Sequence, residues 1–237
     1  MTKNPLHTEF VYTPAIPYEA GITRRDPSPV IKADGHSHVW YAKATADPSG
    51  YFASVWHATS IDGLTWTEQA EAISTGTGNA WDSNGCFTPS TLIDGGRYYL
   101  FYTAVPKPFD NDNGGPSGTS TAIGVAMADH PDGPWRKLDQ NPVLLPGDEP
   151  DAPDGHRIDD ACLIVREGAY WLYYKGRGRG KTPSQTVTCL AIANSAEGPY
   201  EKVDQPVLDS GHEVCVWPHR DGVAALVSPT GPQGSSV

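Results

Sequence analysis

Two short patterns alternate in fixed order along this chain, and no other feature restricts its fold so tightly. The first pattern is a polar residue, an apolar run, a Gly turn and an aromatic strand. It reads "RDPSPVIKADGHSHVWYAKA" from Arg25, "FTPSTLIDGGRYYLFYTA" from Phe87, "DDACLIVREGAYWLYYKG" from Asp159 and "HEVCVWPHRDGVAALV" from His212. The second is a strand, a turn and an aromatic: "VWHATSIDGLTW" (55–66), "IGVAMADHPDGPW" (123–135) and "CLAIANSAEGPY" (189–200). Asp-Gly or Glu-Gly between apolar runs marks a hairpin. Each pair of patterns therefore predicts about four strands, recurring every ~50–70 residues, which is the spacing of propeller blades. A sandwich would not explain why the two patterns alternate. Three units are complete, and a fourth supplies its opening hairpin before "SPTGPQGSSV". The expectation is an all-β propeller with about three and a half blades in this chain, short of a closed ring and leaving strand edges unpaired. Residues 1–22 read as an N-terminal extension and 23–237 as the propeller.

Composition agrees. The chain carries 25 Gly and 22 Pro in 237 residues, with 10% aromatics, a mixture of turn formers and strand formers. No window of helical period stands out. A formal net charge of −11 repels phosphate backbones and argues against nucleic acid, while a neutral sugar is indifferent to it. No apolar run approaches the ~20 residues of a membrane span. The opening "MTKNPLHTEFVYTPAIP" lacks the apolar core of a signal peptide, so a cytoplasmic location is expected. Cys86, Cys162, Cys189 and Cys215 form no zinc-type spacing and read as buried free thiols.

The phase of the first pattern locates the chemistry. Asp26 lies nine residues before Gly35, Thr88 eight before Gly96, Asp160 eight before Gly168 and Glu213 nine before Gly222. The first strand of each blade lines a propeller's central channel, so these four positions should converge on one axis. Crowded carboxylates raise one another's pKa, which lets one serve as a base while another holds a proton. Two such groups flanking a glycosidic bond suffice for its hydrolysis. No cofactor is required, although a divalent cation could neutralise the carboxylate cluster. His212 adds a group that titrates near neutrality. It and Glu213 should point to opposite faces of a strand unless Gly211 lets both reach the channel mouth. Further substrate-binding candidates are Arg25 beside Asp26, Thr88, Lys175 as a cation late on an inner hairpin, and Trp81, whose face could stack on a sugar or fill the core. Trp56 and His57 read as packing, as do Cys162 and Cys215. The loops at 104–122 and 145–157 read as a rim loop or as solvated connections.

Several of these segments together resemble glycoside hydrolase family 117: "TRRDPSPVIKADGHSHVWYAKA", "WHATSIDGLTW", "FTPSTLI", "TAIGVAMADHPDGPW", "HRIDDACLIVREGAYWLYYKGR" and "GHEVCVWPHRDGVAAL". "RDPS" and "DGPW" are shared with other five-bladed sugar hydrolases such as family 43. The resemblance implies a five-bladed propeller and exo-hydrolysis of α-1,3 bonds, releasing 3,6-anhydro-L-galactose from neoagaro-oligosaccharides. It implies Asp26 as general base of an inverting attack and Asp160 as supporting carboxylate. The acid role falls to His212 or Glu213, and the family suggests the histidine. The family's swapped-dimer N-terminal helical segment and its last blade are not matched here. Competing expectations are a family 43-like α-L-arabinofuranosidase or β-xylosidase, with Glu213 as acid, and a non-catalytic sugar-binding propeller fragment.

Overall fold

The computed structural model describes residues 14–108 and 119–227. The first thirteen residues of the extension, the centre of the 104–122 loop and the stretch after 227 lie outside the described residues. Among those described, the chain is all-β except for one 3-10 turn at Pro183–Gln185. Among the described residues no helix is long and apolar enough to cross a membrane.

The three predicted units are three antiparallel sheets. Blade 1 holds β1 (Ile22–Arg25), β2 (Ile31–Ala33), β3 (His36–Thr45), β4 (Ala53–Ser60) and β5 (Thr67–Ile73). Its inner strand is split, because Pro27 and Pro29 cannot donate to the ladder. The Ser28 amide bridges the gap by donating to the Trp40 carbonyl at 2.7 Å, and the Trp40 amide returns a bond to Ser28 Oγ at 3.1 Å. Blade 2 is β6 (Gly85–Asp94), β7 (Arg97–Val105), β8 (Ala122–Ala128) and β9 (Arg136–Lys137). Blade 3 is β10 (Arg157–Arg166), β11 (Ala169–Arg177), β12 (Val187–Ala193) and β13 (Glu201–Lys202). The opening of the fourth is a two-stranded sheet, β14 (Val214–His219) with β15 (Gly222–Val227).

Turn chemistry sets the register. In the first three blades both loop residues of the inner hairpin have positive φ: Asp34–Gly35, Gly95–Gly96 and Glu167–Gly168, as a type I′ turn requires. The fourth differs. His219 pairs with Gly222, so its loop is Arg220–Asp221, and only Arg220 has positive φ. The glycine-based expectation for this blade was therefore displaced by one residue. Counted to the second loop residue, Glu213 stands eight before Asp221, in the same phase as Thr88 and Asp160, and the split inner strand of blade 1 makes Asp26 the member that is one residue out.

Apolar side chains weld neighbouring blades. Trp40, Val55 and Ile73 pack against Cys86, Leu100 and Tyr102 between blades 1 and 2. Phe101, Ile123 and Val125 meet Ile158, Leu163 and Leu172 between blades 2 and 3. Cys162, Ile164 and Leu190 meet Val216 of the fourth. Burying aliphatic and aromatic side chains of this size stabilises by about 1.5–3 kcal/mol each.

A second repeat fixes the loops that lead into the blades. Lys202 reaches Asp154 at 2.5 Å, and Lys137 pairs with Asp82 in the same way. Both carboxylates are buried, and both lysines stand two residues after the aromatic in "GPWRK" and "GPYEK". Each pair ties a blade's outermost strand to the loop before its innermost one.

Candidate active site

Residues 26–29, 88–90, 160–162 and 213–215 line one cavity of about 450 Å³. It receives the equivalent segment from each of the four blades. The predicted meeting of Asp26, Thr88, Asp160 and Glu213 is thus observed, although Asp26 and Glu213 are 187 residues apart in sequence.

How the strands aim these side chains could not be read from the residue pattern. Asp26, Thr88 and Asp160 have φ of 52°, 46° and 54°, the left-handed region that L-residues avoid, a β-branched threonine above all. Each such residue costs of order 1–3 kcal/mol, and such strain concentrates where function requires it. The pairing registers of β6 and β10 shift at the same points, between Phe87 and Ser90 and between Asp159 and Cys162. These bulges turn the in-phase side chain toward the axis. The fourth blade solves the problem differently. Gly211, at φ 149°, passes so close to Thr188 that a Cβ there would stand 2.5 Å from its Oγ1.

Arg25 acts on Asp26. Its Nε donates to Asp26 Oδ2 at 2.7 Å, its Nη1 donates to the Ser49 carbonyl at 2.8 Å, and its guanidinium lies 4.7 Å from the Tyr51 ring centre. Burial raises the pKa of Asp26, Arg25 opposes the rise, and Asp160 and Glu213 add to it. Thr88 Oγ1 shares a hydrogen bond with Thr103 Oγ1 at 2.6 Å.

Lys175, expected as a cation late on an inner hairpin, is the centre of a largely buried ion-pair cluster, 2.6 Å from Asp160 Oδ2 and 3.1 Å from Asp159 Oδ1. Burial works against its charge, and the two carboxylates overrule burial and hold its pKa above the ordinary range. Burial pushes the Asp159 carboxyl up, against the pull of Lys175. Asp159 was missed because a strand sends neighbouring residues to opposite faces, and only the bulge after it makes Asp159 and Asp160 share one cation.

His212 and Glu213 separate. Glu213 is exposed and lines the main cavity. His212 is half-buried and lines an adjoining cavity of about 160 Å³ with Asp159, Lys175 and Arg177. Burial and then Lys175 lower the pKa of His212, while Asp160, Glu213 and a bond to the Pro183 backbone oppose the fall. Gly211 therefore does not bring both groups into one cavity.

Two further expectations are corrected. Trp81 is not at the cavity. Its ring stacks on Tyr102 with centroids 5.7 Å apart, over Gly124, where a Cβ would stand 2.6 Å from it. Its neighbour Asp82 is held by Lys137. Of the four thiols, Cys86, Cys162 and Cys189 are buried, but Cys215 is exposed, and Cys162 and Cys215 both line the main cavity.

A partial propeller whose inner strands present carboxylates to one axial cavity has the architecture of the propeller glycoside hydrolases. The chain belongs to glycosyl hydrolases family 43, whose profile matches residues 21–189. It is also similar to a family 117 glycoside hydrolase of the marine bacterium Zobellia galactanivorans, with 31% identity and a TM-score of 0.80 over 91% of this chain and 66% of that one. The resemblance read from the residues is thereby supported by fold and sequence together. Fructan 1-exohydrolase IIa from Cichorium intybus shares the fold at 19% identity and a TM-score of 0.57, over 77% of this chain and 32% of that one. A fructan 6-exohydrolase of Beta vulgaris is 29% identical over 121 residues, which is 50% of this chain and 19% of that protein. The chain thus spans about two thirds of the family 117 structure and matches a fifth of the Beta vulgaris protein.

Proposed function

We propose that the protein is an exo-acting, inverting glycosidase in which Asp26 is the general base, Asp160 the supporting carboxylate and His212 the proton donor. The observation that carries this reading is the convergence of Asp26, Asp160 and Glu213 on one cavity of about 450 Å³, within the ~300–1,000 Å³ usual for small-molecule sites. Arg25 orients Asp26, and Lys175 orients Asp160. A water activated by Asp26 attacks the anomeric carbon while the donor protonates the leaving oxygen on the opposite side of the ring.

Two features support His212 over Glu213 as donor. An imidazole titrates near neutrality by nature. Glu213 stands exposed at the cavity, placed to accept a substrate hydroxyl and to sustain the imidazolium beside it. The pH dependence then follows. The base must be ionised, and its pKa is raised above 3.8, so activity falls as pH drops through a value above 3.8. The donor must be protonated, and its pKa is lowered below 6.5, so activity falls as pH rises through a value below 6.5. A bell-shaped kcat/KM profile is expected, with its acid limb set by the raised Asp26 and its alkaline limb by the lowered His212, and His212→Gln should abolish the alkaline limb. An alkaline limb that survives in His212→Gln and vanishes in Glu213→Gln transfers the role to the glutamate.

The likeness to the family 117 enzyme supports non-reducing-end 3,6-anhydro-L-galactose, α-1,3-linked in neoagaro-oligosaccharides, as the proposed substrate. The family 43 match favours a second reading, an α-L-arabinofuranosidase or β-xylosidase. A product survey separates them. Release of the anhydro sugar from neoagarobiose, with nitrophenyl pentosides untouched, is expected. Cleavage of pentosides alone overturns the substrate, and sugar binding without any turnover overturns the enzyme reading.

A further inference from the structure

Blades 1 and 2 meet at a group of histidines that the proposed chemistry does not use. His38 on β3 and His57 on β4 are 3% and 4% exposed. Their ring planes are 6° apart, and His38 Nδ1 lies 3.0 Å from His57 Nε2. Trp40 stacks on His57 with ring centres 4.8 Å apart, which fixes its orientation. Asp132, in the turn between β8 and β9 of the next blade, brings Oδ1 to 3.9 Å from His38 Nδ1 and 3.8 Å from His57 Nδ1. One ligand atom from each of the three residues lies within 4.8 Å of the others.

The hydrogen-bond logic leaves this trio with an unresolved opposition. His38 Nε2 faces the Ala33 carbonyl at 3.3 Å, so it carries the proton and Nδ1 is the acceptor. His57 Nε2 must then be the donor to His38, which leaves the lone pair of His57 Nδ1 turned toward a carboxylate oxygen. At 3.8 Å that contact is too long for a hydrogen bond, and both atoms are acceptors. A cation bound between His38 Nδ1 and His57 Nε2 removes the conflict, because the His57 proton then sits on Nδ1 and faces the carboxylate.

We propose that His38, His57 and Asp132 bind a divalent transition metal of the zinc class and so join blade 1 to blade 2. Two imidazoles and one carboxylate suit zinc and its neighbours, whereas calcium and magnesium take oxygen ligands. Two zinc–nitrogen bonds of about 2.0–2.1 Å at a tetrahedral angle set the nitrogens about 3.3 Å apart, so the rings part by a few tenths of an ångström and the metal replaces their shared hydrogen bond. The outer partners that orient metal ligands are in place. The Ala33 carbonyl fixes the tautomer of His38. His130 Nδ1 lies 3.5 Å from Asp132 Oδ2, accepts the Asp132 amide at 3.2 Å, and through Nε2 meets Asp34 Oδ2 at 2.9 Å. Asp132 is exposed, which leaves an entry path. Residue spacing predicted no zinc site, because the ligands come from two strands of one blade and a turn of the next.

The test uses tag-free protein treated with chelator, incubated with zinc chloride and gel-filtered before metal analysis. Wild type is expected to retain about one equivalent and to melt several degrees higher with zinc than without. Asp132→Asn, at an exposed position, and His57→Gln should retain none and lose the shift. Asp26→Asn should retain the metal, which separates this site from the carboxylate cavity. Cobalt(II) in place of zinc should give the absorption bands of a low-symmetry nitrogen–oxygen site in wild type and Asp26→Asn, and not in Asp132→Asn or His57→Gln. The proposal is overturned if wild type retains no zinc, or if Asp132→Asn keeps it while Asp26→Asn loses it.

Discussion

Asp26→Asn is expected to lower kcat by about 10³-fold or more while leaving sugar binding within a few-fold of wild type. The substitution removes the base and little else. The amide carbonyl can still accept the Arg25 Nε hydrogen bond, now 2.7 Å long. Asparagine is also among the residues that best tolerate the left-handed conformation held here at φ 52°, so the bulge should survive. Turnover, a binding isotherm and a melting curve on one preparation form the test. A variant with near-wild-type turnover and unchanged melting would remove Asp26 from the mechanism.

Lys175→Ala is expected to cost about 3–5 kcal/mol of stability at neutral pH, the usual result of leaving a buried carboxylate without its cation. Here two carboxylates lose it at once, Asp159 and Asp160, with side chains 12% and 16% exposed. The pH dependence has a definite sign. Burial already raises the Asp159 carboxyl against the pull of Lys175, so without the lysine its folded pKa stands further above the unfolded one. That part of the penalty is largest at neutral pH and shrinks as pH falls and Asp159 takes up a proton. Urea denaturation at neutral and mildly acid pH should show the gap between wild type and variant narrowing, and Asp159→Asn added to Lys175→Ala should restore part of the loss. Destabilisation below about 1 kcal/mol would mean that the ammonium is solvated and does not organise the site.

The two substitutions probe features that were unequally legible. Asp26 could be found from the residues because its distance from a hairpin turn repeats to within one residue in Thr88, Asp160 and Glu213, and a repeat in sequence is a repeat in space. Asp159 could not, since a regular strand sends it away from Asp160, and only a backbone at φ 54° gives both to one lysine. Trp81 illustrates the opposite failure. An aromatic beside an acid resembles a sugar platform, but the close approach allowed by Gly124 admits the ring to the space over Tyr102. The Lys137–Asp82 and Lys202–Asp154 pairs did leave a signal, the recurring lysine two residues after Trp135 and Tyr200, which becomes informative only when the partner acids are seen beside it.

Read alone, the order of apolar runs, Gly turns and aromatics determines that this chain folds as propeller blades, where the first three inner hairpins turn and which residue heads each inner strand. These are local quantities, set by side-chain period and turn sterics, and they survive in one dimension. The tertiary structure decided how that phase is spent. It flipped three backbones into the left-handed region, sent Glu213 and His212 to different cavities, closed an ion pair around Lys175 and brought Asp132 of one blade against His38 and His57 of another. Those outcomes depend on contacts between residues far apart in the chain, where twist and packing between blades choose among geometries that the residue pattern leaves equivalent.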